Sequence, residues 1–147
     1  VGFCRSAPGR NIGGIREMIF LLDTHVFIWW TCEPEKLPRS LFNQLIDPQN
    51  TLLLSTASTW EIMIKLGIGK ISFNEDVEVI IAREIERNGL QIIPVTLDHT
   101  YQLKALPPLH KDPFDRMLIA QAIVTDLTIA TNDSFVTQYE GVKTVWG

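Results

Sequence analysis

The sequence predicts an α/β fold, a three-layer α/β/α sandwich around a short, mainly parallel five-stranded sheet. Three observations carry this. Strand and helix signals alternate along the chain, as βα units feeding a parallel sheet do. The first strand candidates are unbroken apolar runs, Ile19-Phe20-Leu21-Leu22 and Leu52-Leu53-Leu54, as strands covered on both faces require. The segment 113–125 carries Phe114, Met117, Leu118, Ile119, Ala122, Ile123 and Val124. It is apolar nearly all round, so a largely buried helix is expected there.

Taken in order, residues 1–17 are rich in Gly and Arg and lack periodicity. They read as an appended, flexible extension before a domain spanning 18–147, with Met18 a candidate biological start. An RNA-touching basic arm is the competing reading. No run of even seven apolar residues follows its arginines, so no secretory signal is expected. Residues 19–23 form the first strand, and 24–31 a short helix with Phe27, Trp29 and Trp30. Pro38 suits the first turn of a helix running to about Ile46. Asp47-Pro48-Gln49-Asn50 is a turn, and 51–55 the second strand. A helix from about Ser58 stops near Gly67 and Gly69. Residues 75–88 place Val77, Ile80, Ile81 and Ile85 on one helical face, closed by Gly89. A third strand covers 90–95, and a helix covers about 97–106 before Pro107-Pro108. Asp112 is placed to N-cap the helix that Pro113 opens. A fourth strand over 127–131, a turn of helix and a fifth strand over 142–146 complete the pattern.

The chain has 147 residues, 46% hydrophobic, with a mean hydropathy of +0.11. That is one domain with a sizeable core. No apolar run approaches the roughly 20 residues of a membrane span. Cys4 and Cys32 are the two cysteines, without metal-ligand spacing, so a disulfide scaffold is not expected and a cytoplasmic location is. The net charge of −4 does not by itself favour a nucleic-acid partner. Setting aside residues 1–17 removes three Arg and one Glu, leaving 10 basic minus 16 acidic, or −6. The acids are unevenly spread, with five in residues 75–86, while Lys65, Lys70, Lys111 and Arg116 flank other acids.

Those other acids carry the functional signal. Asp23 ends the first strand. Glu61 lies in Ser58-Thr59-Trp60-Glu61 at the opening of a helix. Asp115 lies in Asp112-Pro113-Phe114-Asp115 at the opening of another. Asp133 follows the fourth strand and Asn132. Open parallel sheets bind ligands beyond the carboxyl ends of their strands, so the four side chains are aimed at one region. Carboxylates gathered there repel unless protonated or neutralised by a cation. A hard divalent ion, Mg²⁺ or Mn²⁺, matches oxygen ligands. The pattern is that of a metal-dependent phosphodiesterase. Each acid also has an ordinary explanation. Asp23 and Asp133 can cap helices, Asp112 and Asp115 can be a cap and an acid that compensates the helix dipole, and Ser58 with Glu61 fits a capping box. Glu61 and Lys65 fit an i,i+4 ion pair. The four together are harder to explain so.

Other chemistries lack their motifs. His25, His99 and His110 have no H-x-x-x-H spacing for zinc. No Walker loop, G-x-G-x-x-G or G-x-S-x-G is present, and Asp23-Thr24-His25 lacks the second Asp of a D-x-D phosphatase motif. Trp29 and Trp30 face about 100° apart on a helix, so one is expected in the core and the other on a surface open to a partner helix.

The stretches Phe20-Leu21-Leu22-Asp23-Thr24-His25, Ser55-Thr56-Ala57-Ser58-Thr59-Trp60-Glu61-Ile62, His110 to Ala122 with Asp112-Pro113-Phe114-Asp115-Arg116 at its heart, and Thr131-Asn132-Asp133-Ser134-Phe135 closely resemble the PIN-domain family. Within it they resemble the VapC-like toxins of bacterial type II toxin–antitoxin modules. The resemblance covers roughly Met18 to Trp146. It implies a PIN-like sandwich and a Mg²⁺- or Mn²⁺-dependent endoribonuclease. It also implies a homodimer held inactive by a small cognate antitoxin. Its acidic tetrad is Asp23, Glu61, Asp115 and Asp133. Thr131 and Asn132 shape the last corner. The candidate substrate-binding residues are Thr24, Lys65, Arg116, Thr131 and Asn132, with Arg116 and Lys65 the candidates for gripping RNA phosphates. The extension before Met18 has no role in the family pattern. The alternative is a catalytically inactive PIN-fold module that binds RNA or protein.

Overall fold

The computed structural model describes the backbone of residues 11, 12 and 15–147, and side chains from residue 17 onward. Strands β1 (Asn11–Ile12) and β2 (Ile15–Arg16) pair antiparallel. Otherwise the flexible extension expected over 1–17 falls, for 1–10 and 13–14, outside the described residues.

From Ile19 the chain alternates as the sequence predicts. Strands β3 (Ile19–Leu22), β4 (Thr51–Ser55), β5 (Gln91–Ile93), β6 (Thr128–Ala130) and β7 (Lys143–Val145) form one sheet in the order β5-β4-β3-β6-β7. Every pairing in it is parallel. Helices α1 (Thr24–Cys32), α2 (Arg39–Ile46), α3 (Thr56–Gly67), α4 (Val77–Asn88), α5 (Leu97–Gln102), α6 (Pro113–Thr125) and α7 (Ser134–Thr137) connect the strands. Side chains alternate across the sheet and divide the core in two. Phe20, Leu22, Leu52 and Leu54 pack with Val26, Phe27, Leu41, Leu45, Ile62 and Ile80 on one face. Leu21, Leu53, Ile93 and Ile129 pack with Leu118, Ile119, Ala122 and Val136 on the other. That is the three-layer sandwich. Among the described residues no helix is long and apolar enough to cross a membrane.

Several boundaries differ from the sequence expectation for identifiable reasons. Ser55, not Ser58, caps α3: its hydroxyl accepts the Ala57 N–H at 3.0 Å. Helix α3 therefore starts directly at the end of β4, and Glu61 lies in its second turn, too deep for a capping box with Ser58. Pro38 is the residue before α2, its ψ of 142° still extended. The α5 segment is shorter than predicted and continues as a 3₁₀ turn over Leu103–Ala105. Gly89 ends α4 in the left-handed region, φ 66°, where a side chain is strained. Trp30 is the core tryptophan, edge-on to Phe27 at 6.5 Å between centroids. Trp29 is half-buried against Trp146 at 6.1 Å.

Leu53 is fully buried on the α6 side of the central sheet. Leu53→Ala should lower stability by about 2–5 kcal/mol, read as the shift of the urea midpoint at constant m-value.

Candidate active site

Strand β3 lies at the point of the sheet where the chain changes direction, continuing to β4 on one side and to β6 on the other. The crevice beyond the carboxyl ends of such strands is where open α/β sheets bind ligands. Asp23 follows β3 directly and extends its ladder, its backbone N–H donating to the Ala130 carbonyl at 3.1 Å. Its side chain caps α1, with Oδ1 accepting the His25 N–H at 3.3 Å. Oδ2 accepts the Thr131 hydroxyl at 2.6 Å, a contact between residues 108 positions apart. Thr131 Oγ1 in turn accepts the Asp133 N–H at 3.0 Å.

Glu61 is buried on α3. Its Oε1 accepts the Thr24 hydroxyl at 2.8 Å, and its Oε2 accepts Lys65 Nζ at 2.7 Å. Asp115 stands in the first turn of α6, whose N-cap Asp112 accepts the N–H groups of Phe114 at 2.8 Å and Asp115 at 3.2 Å. Asp133 caps α7 through Oδ1, which accepts the Phe135 N–H at 2.8 Å. Between these last two acids lies His110. Its Nε2 is 2.9 Å from Asp115 Oδ2 and 3.1 Å from Asp133 Oδ2. One run of contacts thus leads from Asp23 through Thr131, Asp133 and His110 to Asp115, and a second joins Lys65, Glu61 and Thr24, the residue that follows Asp23 in the chain.

This crowding has an electrostatic signature. Burial pushes the Asp23 carboxyl up, against the lowering effects of the Thr131 hydroxyl and His25. Asp115 is pushed up to about 7, first by burial, then by the charges of Asp23 and Asp112, with His110 opposing and Glu61 adding to the rise. Lys65 is raised by its hydrogen bond to Glu61. Asp23 and Asp115 thus hold a proton more readily than free carboxyls do, and an added cation would favour their charged forms.

The nine sequence candidates have different surroundings. The four acids converge as just described. Thr24 is buried, with its hydroxyl also 2.9 Å from Ser58 Oγ, and it holds Glu61 rather than facing solvent. Thr131 is buried between Asp23 and Asp133, while Asn132 is exposed. Lys65 is partly exposed at the rim, paired with Glu61. Arg116 points away from the acids. Its guanidinium donates to the Pro107 carbonyl at 3.0 Å, the Tyr139 hydroxyl at 3.1 Å and the Leu103 carbonyl at 3.4 Å. One position along a helix is a turn of about 100°, which separates it from Asp115.

Two features lie outside the sequence candidates. His110 has no zinc spacing, and its place two residues before the N-cap Asp112 is the signal that the sequence offers for it. Trp60, 65% exposed, packs edge-on to Phe114 at 5.2 Å. Each directly precedes a candidate acid in sequence, and the pair joins α3 to α6 over an apolar pocket lined also by Ala57, Val95, Leu103 and Met117.

The donor set suits a hard divalent ion, being carboxylate oxygens with one imidazole at the edge. Among the described residues, ligand atoms of His110, Asp115 and Asp133 lie within 4.8 Å of one another. Asp23 and Glu61 join this group through Thr131 and Thr24.

The site is thus a set of carboxylates collected over the carboxyl edge of a parallel sheet on a three-layer scaffold. The PIN domain model matches residues 20–140, and the chain belongs to the PIN domain family. Its fold is similar to that in VapBC2 from Rickettsia felis bound to a promoter DNA fragment: TM-score 0.68, 20% identity, covering 88% of this chain and 100% of that one. DNA-bound VapBC from Salmonella typhimurium gives 0.61 at 16% identity, over 87% and 97% of the two chains. FitAcB from Neisseria gonorrhoeae gives 0.55 at 20%, over 85% and 95%. No curated protein matches by sequence.

The raised Asp115 predicts a pH dependence of the metal-free protein. Its carboxyl is near 3.8 in the unfolded chain and about 7 in the fold. The folded state therefore holds the proton more tightly. The stability this contributes is full below pH 4 and is lost as pH rises through 7. In EDTA the melting temperature should fall between pH 5 and pH 8 beyond any change in Asp115→Asn, measured by calorimetry on both proteins.

Proposed function

We propose that this chain is a Mg²⁺- or Mn²⁺-dependent endoribonuclease, the toxin of a type II toxin–antitoxin pair. The observation that carries the reading is the convergence of Asp23, Glu61, Asp115 and Asp133 on one crevice of a PIN fold. In this reading the four acids hold the ion. Once bound, it would supply a nucleophilic water at neutral pH and offset the charge of the attacked phosphate.

The protein's own residues do the rest. Thr131 fixes Asp23, and Thr24 fixes Glu61, so that each presents its carboxylate in one orientation. Lys65, partly exposed at the rim on Glu61, offers a cation for an RNA phosphate. Trp60 offers an exposed π-face on which an unpaired base can stack, a contact worth about 1–3 kcal/mol in single-strand binders. The loss of Arg116 to the loop leaves Lys65 and Lys111 as the phosphate contacts in this proposal.

The toxin assignment draws on the likeness to the VapBC structures and on the sequence resemblance. It carries with it a homodimer, a cytoplasmic setting and a cognate antitoxin. An apolar helix of that antitoxin would lie along the half-buried aromatics Trp29 and Phe42 on α1 and α2.

Asp23→Asn and Asp115→Asn should each keep the fold, with metal-free melting equal to or above the parent, because one repelling charge is gone. Both should lose cleavage of single-stranded RNA in Mn²⁺ by at least about 100-fold, the loss expected when a metal ligand is removed. Circular-dichroism melts beside a fluorogenic RNA assay test this. Parental cleavage by either variant would remove the tetrad from the mechanism. A parent that binds RNA in Mn²⁺ without cutting it would instead be the inactive binding module.

Mn²⁺ should also raise the parent's melting temperature by mass action, reversibly with EDTA. Differential scanning fluorimetry over a Mn²⁺ titration reads it, and a flat titration would count against the metal.

A further inference from the structure

Asp115 and Asp133 come from different elements, α6 and the turn after β6, and nothing covalent holds them together. What stands between them is His110. The geometry points to His110 as a positioning residue, a fixed hydrogen-bond donor that holds Asp115 and Asp133 as a pair of ligands without binding the metal itself. This inference rests on the metal reading of the tetrad and adds a residue outside it.

The direction of the ring decides between donor and ligand. The Asp112 backbone N–H donates to His110 Nδ1 at 3.3 Å. Nδ1 therefore presents its lone pair, and the ring hydrogen is on Nε2. A metal-ligating histidine has the opposite arrangement: the bound nitrogen gives its lone pair, and the other ring nitrogen donates an N–H to a carbonyl or carboxylate. Here that other nitrogen faces a donor. The donor is itself immobile, because the Asp112 side chain caps α6 through Phe114 and Asp115. Nε2–H accordingly points between Asp115 Oδ2 at 2.9 Å and Asp133 Oδ2 at 3.1 Å. Each carboxylate oxygen has two acceptor sites, so the donor leaves room on both acids for an ion.

The ring is pinned from outside the tetrad. It packs against Phe135 at 5.2 Å between centroids. The His110 backbone N–H donates to the Tyr139 hydroxyl at 2.8 Å. Tyr139 is buried and also accepts from Arg116, which ties the same loop through Pro107. Arg116 thus acts on the site through Tyr139 and His110.

The test uses the full chain with Mn²⁺ alone as the probe, in the parent, His110→Ala and His110→Gln. Glutamine carries its amide nitrogen the same number of bonds from Cα as His Nε2, so it restores the donor. Mn²⁺ affinity is read from the free-ion electron paramagnetic resonance signal, and direct nitrogen ligation from pulsed measurements on the bound ion. The parent is expected to bind Mn²⁺ with no directly coordinated nitrogen. His110→Ala should weaken binding about 10–100-fold, as loss of a partner that orients ligands does. His110→Gln should bind within about threefold of the parent, inside the tenfold loss that marks a missing orienting partner. Metal-free melts show that each variant is folded, and if His110→Ala is not, His110→Gln decides alone by keeping or losing parental affinity. A ligated-imidazole coupling in the parent, or a folded His110→Ala that binds like the parent, overturns the inference while leaving the metal reading standing. A parent that binds no Mn²⁺ overturns both.

Discussion

Four carboxylates brought to one crevice repel one another, and near a protein surface two such charges about 4 Å apart do so by ~4 kcal/mol. The arrangement around the crevice answers that repulsion. Each acid has a donor from outside the tetrad: Thr131 on Asp23, Thr24 and Lys65 on Glu61, and His110 on both Asp115 and Asp133. Asp23 and Asp133 in addition cap helices with their other oxygens. These contacts offset the repulsion without removing it, as the raised Asp115 shows. The proposed metal would meet that remaining deficit of positive charge.

The scaffold supplies the stiffness this needs. Asp23 is held by the β3–β6 ladder, and Glu61 by a helix that begins where β4 ends. Asp115 stands on a helix whose buried side chains pack under the sheet. Rigid elements hold a constellation more closely than loops do. The exception is the 107–112 loop that brings in His110, and there Arg116 and Tyr139 provide the ties that regular structure does not.

What was legible in the sequence followed from periodicity and local chemistry. Apolar runs located β3 and β4, and Asp112-Pro113 marked the start of α6. The direction of the chain around a parallel sheet then brought four acids to one edge. Where local signals competed, the sequence could not arbitrate. Ser58 with Glu61 matched a capping box, but Ser55 at the end of β4 took the capping role and turned Glu61 inward. Arg116 stood next to a tetrad acid in sequence, yet helical rotation sent its guanidinium to the 103–107 turn. His110 joined the site through contacts 5 and 23 positions away, and no spacing rule for histidines covers such a pair. The hydrogen bonds that Thr24 and Lys65 make to Glu61 join residues 37 and 4 positions apart, and only the second has a spacing that the sequence makes visible.

The link between Asp23 and Thr131 spans 108 positions of the chain. Strand β3, at the centre of the sheet, pairs with β4 early in the sequence but waits for β6 on its other side. Long-range pairings of this kind are closed late in folding, because their loop entropy is lost before their contacts form. During synthesis, a nascent chain that has not yet released residues 128–133 leaves Asp23 with its local cap on His25 but without Thr131, and leaves Asp133 out of the crevice. The crevice is therefore completed only when nearly the whole domain has emerged, and partial translation products carry the first half of the site in an unassembled form.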